Sequence, residues 1–311
     1  MTYFTKDKPY NTLNEYNKIR YNSKVSKIAL NGGFTCPNKD GKVGIGGCTY
    51  CSRLGSGDFA GDIKLSFHDQ YYQIKEIIDK KWKNTKYMPY LQANSNTYDK
   101  VENLEKIYNE ILEIDPNNTV GLAIATRADC IDKDIVNLLK KINEKKDVIV
   151  ELGLQTSNEK TANIINRCMT NKCFIDAVNM LHEANIFIVV HIINGLPYEN
   201  EEDMLNTIHF LNKLPINSIK FHSLLILKNT KMYEQYIKNP FHILTLDEYI
   251  DIVCKQICIL RDDIIIERLQ ADSSFEDLVE PLWTRRKLAV MDKIDMYLRN
   301  NNLYQGIYYK K

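Results

Sequence analysis

An α/β fold with a parallel sheet is what this chain of 311 residues predicts, and three observations predict it. Six short runs rich in apolar and β-forming residues, at 25–30, 87–92, 119–125, 148–154, 186–193 and 218–226, are each followed by a helical pattern, at about 68–83, 99–114, 132–144, 172–184, 199–212 and 245–260. No series of hairpins interrupts the alternation, so crossovers must lay helices outside parallel strands. Periodicity does not separate a doubly wound sheet from a partial barrel, but in both the ligand site lies at the carboxyl ends of the strands. The third observation says what stands there: a glycine-dense loop with three cysteines follows the first strand.

At 36.2 kDa with 44% hydrophobic residues, the chain has the material for one large domain or two small ones. No apolar run reaches the roughly 18 residues of a membrane span. The opening MTYFTKDKPYNTLNEY has no apolar signal core, which predicts a cytoplasmic protein whose thiols stay reduced. The net charge of +1 does not by itself indicate a nucleic-acid partner. The ends differ, however: residues 1–30 sum to +4 and residues 281–311 to +5, leaving −8 for the rest. If both ends share a face, Lys/Arg interleaved with Trp283, Tyr297, Tyr304, Tyr308 and Tyr309 would make a phosphate-binding surface; otherwise they are solvated charges.

Cys36, Cys48 and Cys51 are spaced as a metal site, with a CxxC pair and a third thiol brought back by a flexible loop. Three thiolates leave one metal with an open position for a substrate or cofactor, whereas a structural zinc site takes four ligands. A zinc knuckle with a distant fourth ligand and a redox CxxC on a thioredoxin-like fold remain as alternatives. Cys168 with Cys173, and Cys254 with Cys258 at helical spacing, read as core rather than as a second cluster.

The segments CPNKDG, GGCTYC and GSGDFAGD resemble the radical S-adenosylmethionine (SAM) enzymes, in particular the bacterial YhcC/YtqA-type branch related to the Elongator catalytic subunit and to oxygen-independent coproporphyrinogen dehydrogenase. The resemblance runs from about Tyr10 to Gly306. It implies a partial (β/α)6 TIM-type barrel with a C-terminal extension, divided as a basic segment 1–24, a barrel 25–262 and an extension 263–311 that closes it. It also implies a 4Fe-4S cluster on Cys36, Cys48 and Cys51, whose fourth iron chelates SAM, with Tyr50 against the adenine.

Each later motif is read at the end of its strand. After the second strand, QANSNTY offers the amides of Gln92 and Asn94 where relatives carry a glycine-rich segment for the methionine amino group. ATRADC after the third places Thr126 and Arg127 at the mouth, Arg127 either holding an anion or pairing with Asp129. On the fourth, Gln155 and Arg167 match a glutamine and an arginine twelve residues apart that bind SAM in the porphyrin-pathway relatives. HIING on the fifth resembles the segment whose backbone, around Ile192 to Gly195, brackets adenine, with His191 as a nucleoside contact, a proton shuttle or a satisfied histidine at the mouth. On the sixth, His222, Lys228 and Thr230 are substrate-side candidates, and Arg268, Asp272 and Trp283 match the family's closing extension. The catalytic candidates are therefore His191 and His222.

The activity implied is reductive cleavage of SAM to a 5′-deoxyadenosyl radical, with tRNA wobble uridine as substrate and shortening of a carboxymethylaminomethyl group to aminomethyl. Partners implied are tRNA, an electron donor such as flavodoxin or ferredoxin, and a methyltransferase acting afterwards. A radical SAM enzyme acting on a small molecule or tetrapyrrole, and a non-catalytic iron–sulfur or RNA-binding protein, are the other readings.

Overall fold

The computed structural model describes residues 4–55, 57–272 and 276–310. In chain order it contains α1 (Leu13–Tyr21), β1 (Val25–Leu30), α2 (Phe67–Lys81), β2 (Lys86–Leu91), α3 (Val101–Leu112), β3 (Gly121–Thr126), α4 (Lys133–Asn143), β4 (Asp147–Gln155), α5 (Glu159–Ile164), α6 (Asn171–Glu183), β5 (Phe187–Asn194), α7 (Glu201–Leu211), β6 (Ser218–Ser223), β7 (Ile226–Leu227), α8 (Lys231–Lys238), α9 (Leu246–Ile259), β8 (Ile265–Arg268), β9 (Leu278–Glu280) and α10 (Lys287–Asn300). Seven strands pair in the order β1-β2-β3-β4-β5-β6-β8, every pair parallel, as a curled partial barrel with helices outside.

Local chemistry sets the helix starts. Ser66, Asp132 and Thr170 each accept from a backbone N–H three residues on, and Asn200 and Thr245 open capping boxes with Asp203 and Glu248. Helix α4 buries Ile135, Leu138, Leu139 and Ile142, one stripe at 3.6-residue spacing. That stripe meets outward-facing strand residues such as Leu122, Ile124, Val150 and Leu152 in the main core.

The other strand face looks inward, and it is layered. Met88, Tyr90, Ala123, Ile149 and Val189 form a separate apolar plug with Tyr21 and Phe187 packed beside it. Charged residues stand on the same inner face, because side chains two apart on a strand share a face.

The expected six strands are seven. Ile265–Arg268, inside the segment assigned to a closing extension, pairs with β6 as the last strand of the sheet. Four residues after an acidic turn carry too short an alternation to be told from a loop. The segment before α1 runs along it, Ile266 N donating to Asn11 O at 2.8 Å, so this edge is covered. Helices α1, α5, α8 and α10 also lie outside the six predicted alternations.

The chain ends meet on one face: Tyr10 and Lys8 bond Asp295, and Gln305 N donates to Pro9 O. Part of their charge is matched by carboxylates, however. Lys18 pairs with Glu15, Arg20 with Asp147 and Lys287 with Asp272, while Lys27 lies inside the barrel. Trp283 donates to Leu244 O and packs on Tyr249, so it is not a surface ring. Tyr304, Tyr308, Arg285 and Arg286 remain exposed, and Lys311 is outside the described residues.

Candidate active site

The loop between β1 and α2 carries the three cysteines across the open end of the barrel. Lys39 N and Asp40 N donate to Cys36 O, and Cys51 N closes a turn on Cys48 O at 3.1 Å. Asn38 anchors the middle: its Nδ2 donates to Asn166 O at 2.7 Å and reaches Cys48 Sγ at 3.5 Å. Gly44 is needed here, since a Cβ would stand 2.1 Å from Asn38 Oδ1. Gly55, at φ +64, likewise has no room for a side chain beside Asn94.

All three thiols face one cavity of about 680 Å³ that opens at the strand ends. That is within the range of small-molecule and cofactor sites, about 300–1,000 Å³. Burial pushes the Cys48 thiol up, while Arg127 and bonds from Asn38 and Tyr50 favour its thiolate. Among the described residues no three His, Cys, Asp or Glu side chains converge as ligands of a single ion. Thiols that bind separate irons of a cluster have no need to converge, so three on one cavity wall fit a 4Fe-4S cluster with an open iron.

Tyr50 of the cysteine loop and Gln92, Asn94, Thr126, Gln155, His191 and His222 on or just after their strands all line the cavity. Gln155 sits at a bulge in the β4–β5 pairing with φ +65, a left-handed backbone uncommon outside glycine. With its amide oriented to satisfy both ends, Gln155 Oε1 accepts from Tyr50 OH at 3.2 Å. Asn94 is engaged in holding the loop, accepting from Lys39 Nζ and donating to Phe34 O, each at 2.9 Å. Thr126 Oγ1 lies 2.7 Å from Thr97 Oγ1.

Of the expected cofactor contacts, the Arg167 side chain is not brought to the cavity, while Ile192 and Gly195, expected to act through their backbone, add no side chain to its wall. Arg167 is 1% exposed, and its guanidinium bonds the carbonyls of Leu154, Thr156 and Met169 together with Glu159 and Asn171. It clamps the end of β4 rather than a ligand. Ile192 faces the outer core, and its neighbour Ile193 lines the cavity instead, as strand alternation requires. Gly195 turns the chain at φ +84 behind the wall, its N–H directed at Met204 Sδ. Of the further arginines, Arg127 is at the wall but forks onto Asp129 at 2.8 and 2.6 Å. Lys228 bonds Glu276 O and Thr230 caps α8, neither reaching the cavity.

Below the thiols lies a charged floor that the sequence reading did not assemble. Glu151, on β4, receives Lys27 Nζ on Oε1, and Lys220 Nζ, Tyr90 OH and His191 Nε2 on Oε2, the last two at 2.7 Å. Glu267 takes Lys27 at 2.9 Å and so ties β8 to β1 across the barrel. Burial works against the Glu151 carboxylate, but Lys220, Lys27 and His191 hold it well below the usual range. Burial outweighs Glu151 at Lys220 and brings its ammonium down to about 8. Burial and the neighbouring cation Lys220 lower His191 against the pull of Glu151, and burial, His191 and Arg268 push His222 well below the usual histidine range. The two rings stack with centroids 5.1 Å apart, and His222 Nε2 is buried without a partner. A lysine between apolar neighbours on a buried strand, as in SKIAL and SIKFH, was the signal available in the sequence.

A parallel partial barrel with three thiols of this spacing at its open end defines a cluster-dependent α/β enzyme. The Radical SAM superfamily model matches residues 36–211 and the Radical_SAM C-terminal domain model residues 216–300, so the chain belongs to the radical SAM superfamily, whose cofactors are a 4Fe-4S cluster and SAM. Within it, the chain is 40% identical over 309 residues to YtqA of Bacillus subtilis, covering 99% of this chain and 95% of that protein. YhcC of Escherichia coli K12 is 30% identical, with coverage of 91% and 90%. A tRNA uridine(34) acetyltransferase of Methanocaldococcus jannaschii is 25% identical over 55% of this chain and 31% of its own length. Among solved structures, the archaeal Methanocaldococcus infernus Elp3 with an N-terminal deletion superposes with TM-score 0.66 at 15% identity, over 91% of this chain and 64% of that one, a likeness of fold. No helix among the described residues is long and apolar enough to cross a membrane.

Proposed function

We propose that this enzyme uses SAM to modify the wobble uridine of tRNA, shortening a carboxymethylaminomethyl side chain to aminomethyl. The observation that carries the reading is that the three thiols, Gln155, His191 and His222 all line one open cavity, so cofactor and a reacting side chain can meet there. Cys36, Cys48 and Cys51 would hold the cluster, which when reduced supplies the electron that splits SAM. Tyr50 and Gln155 would orient SAM, with Gln92, Asn94 and Thr126 on the wall beside it, while the apolar plug below excludes water. The tRNA assignment is supported by partial similarity to a tRNA uridine(34) acetyltransferase and by the exposed side chains of Arg285, Arg286, Tyr304 and Tyr308. A flavodoxin or ferredoxin would deliver the electron, and a methyltransferase would extend the product.

The test is anaerobic reconstitution with iron and sulfide, dithionite reduction, and assay of 5′-deoxyadenosine with tRNA bearing the carboxymethylaminomethyl group. Formation of 5′-deoxyadenosine together with aminomethyluridine is expected. Cleavage of SAM with every tRNA unchanged removes the tRNA assignment. Charge reversal at Arg285 and Arg286 is expected to weaken tRNA binding.

A further inference from the structure

We propose that the part of the cavity lined by Arg268 and His222 is a carboxylate subsite, in which Arg268 clamps an anionic group of the substrate and His222 donates the second hydrogen bond. This rests on the proposed function for the identity of the substrate, but its own support is the arrangement of charges.

The cations of the floor are already matched. Lys27 and Lys220 face Glu151 and Glu267, and Asp272 takes Lys287 Nζ on both oxygens at 2.7 Å. Arg268, the neighbour of Glu267 in sequence, touches Asp272 at only 3.5 Å with one nitrogen. A register shift in the β6–β8 pairing, between Ile219 and Lys220, is the device that lets consecutive residues Glu267 and Arg268 both reach the interior. Arg268 therefore brings a planar fork of donors to the cavity with most of it uncommitted among the described residues, the geometry that suits a carboxylate.

His222 adds the second observation. Its ring lines the same cavity, stacked on His191, and its Nε2 is shut away from water with no partner among the described residues. A buried nitrogen left unpaired carries a desolvation cost, which a ligand that bonds it would relieve. The surrounding cations make an anionic or carbonyl-like acceptor the fitting occupant, with the ring in its Nε2–H form. A side chain ending in carboxylate meets that description, and one ending in an amine does not.

The experiment uses the reconstituted holoenzyme with SAM and compares tRNA carrying carboxymethylaminomethyluridine with tRNA carrying methylaminomethyluridine, which lacks the carboxylate. Wild type should prefer the first in kcat/KM. Arg268→Gln should raise KM for the carboxylate-bearing tRNA by about tenfold or more, the size of one charge-assisted bond. It should change KM for the other tRNA little, and Arg268→Lys should restore part of the preference. An equal effect on both tRNAs overturns the proposal. If neither tRNA is turned over, N-methylglycine and methylamine titrated into the holoenzyme separate the two claims. Binding of N-methylglycine but not methylamine, lost in Arg268→Gln, keeps the subsite and removes only the tRNA reading. Binding that ignores Arg268, or no binding of N-methylglycine, overturns the subsite.

Discussion

His191 Nε2 stands 2.7 Å from Glu151 Oε2, and the same oxygen accepts from Tyr90 and Lys220. One carboxylate thus holds donors from β2, β4's neighbour β5, and β6, with β1 reached through Lys27 on its other oxygen. It ties the inner faces of the barrel strands together beneath the cavity.

Replacing Glu151 should therefore expose how much of the barrel depends on it. Glu151→Gln leaves Lys27 and Lys220 facing one carboxylate, Glu267, and the expected loss is about 3–5 kcal/mol. Adding Lys220→Met should recover a large part, because it removes the charge left unmatched. Urea midpoints of the two single variants and the double variant give the coupling, and additive losses would deny it.

Arg167 is expected to behave as a structural clamp. Arg167→Met leaves the buried carbonyls of Leu154, Thr156 and Met169 unpaired, a loss of about 3 kcal/mol or more at about 1–3 kcal/mol per group. Arg167→Lys should not rescue it, because an ammonium cannot span carbonyls that a planar fork bridges. The readout is the thermal midpoint set against KM for SAM. A direct SAM contact would instead raise KM at an unchanged midpoint.

How this residue reads from sequence shows where legibility ends. The twelve-residue spacing of Gln155 and Arg167 places both near the mouth, and the structure does put Gln155 there. Which way Arg167 turns depends on carbonyls freed at the end of β4, a tertiary condition that spacing does not encode. The strand ends, the cysteine loop and the helices on the outer face were legible because periods of 2.0 and 3.6 and the glycine pattern are local. The Glu151 floor was not, since its members lie up to 240 residues apart and meet only when the sheet curls. The pairing of the basic ends was not legible for the same reason: Lys8, Arg20 and Lys27 find their carboxylates at Asp295, Asp147 and Glu151.

The three loop cysteines should separate cleanly from Cys168, Cys254 and Cys258. Cys36→Ala, Cys48→Ala and Cys51→Ala are each expected to reconstitute with little iron and to lose the visible absorbance of the cluster. Cys168→Ala is expected to load as wild type does, since its exposed thiol is held by Asn166 Oδ1 outside the cavity wall. Cys254 and Cys258 are core residues of α9, so their truncation should lower stability and leave iron content per folded protein unchanged. Equal iron loss in Cys168→Ala would mean a fourth protein ligand and would close the open iron.

Glu199 provides a pH dependence with a definite sign. Burial raises its carboxyl from 4.5 to about 7, in spite of the bond from Thr156 Oγ1 at 2.5 Å. Between those two values the folded protein holds a proton that the unfolded chain has released, so this group's contribution is complete below about 4.5 and is lost as pH rises through about 7. Glu199→Gln keeps an oxygen for Thr156 and carries no charge, so it should lack that slope. Urea midpoints from pH 5 to 8.5 are expected to draw apart as pH rises, with the variant the more stable, and to run parallel above about pH 7. A variant less stable than wild type at pH 8 would mean that Glu199 is ionised with a partner in the folded protein, and the burial argument would fail.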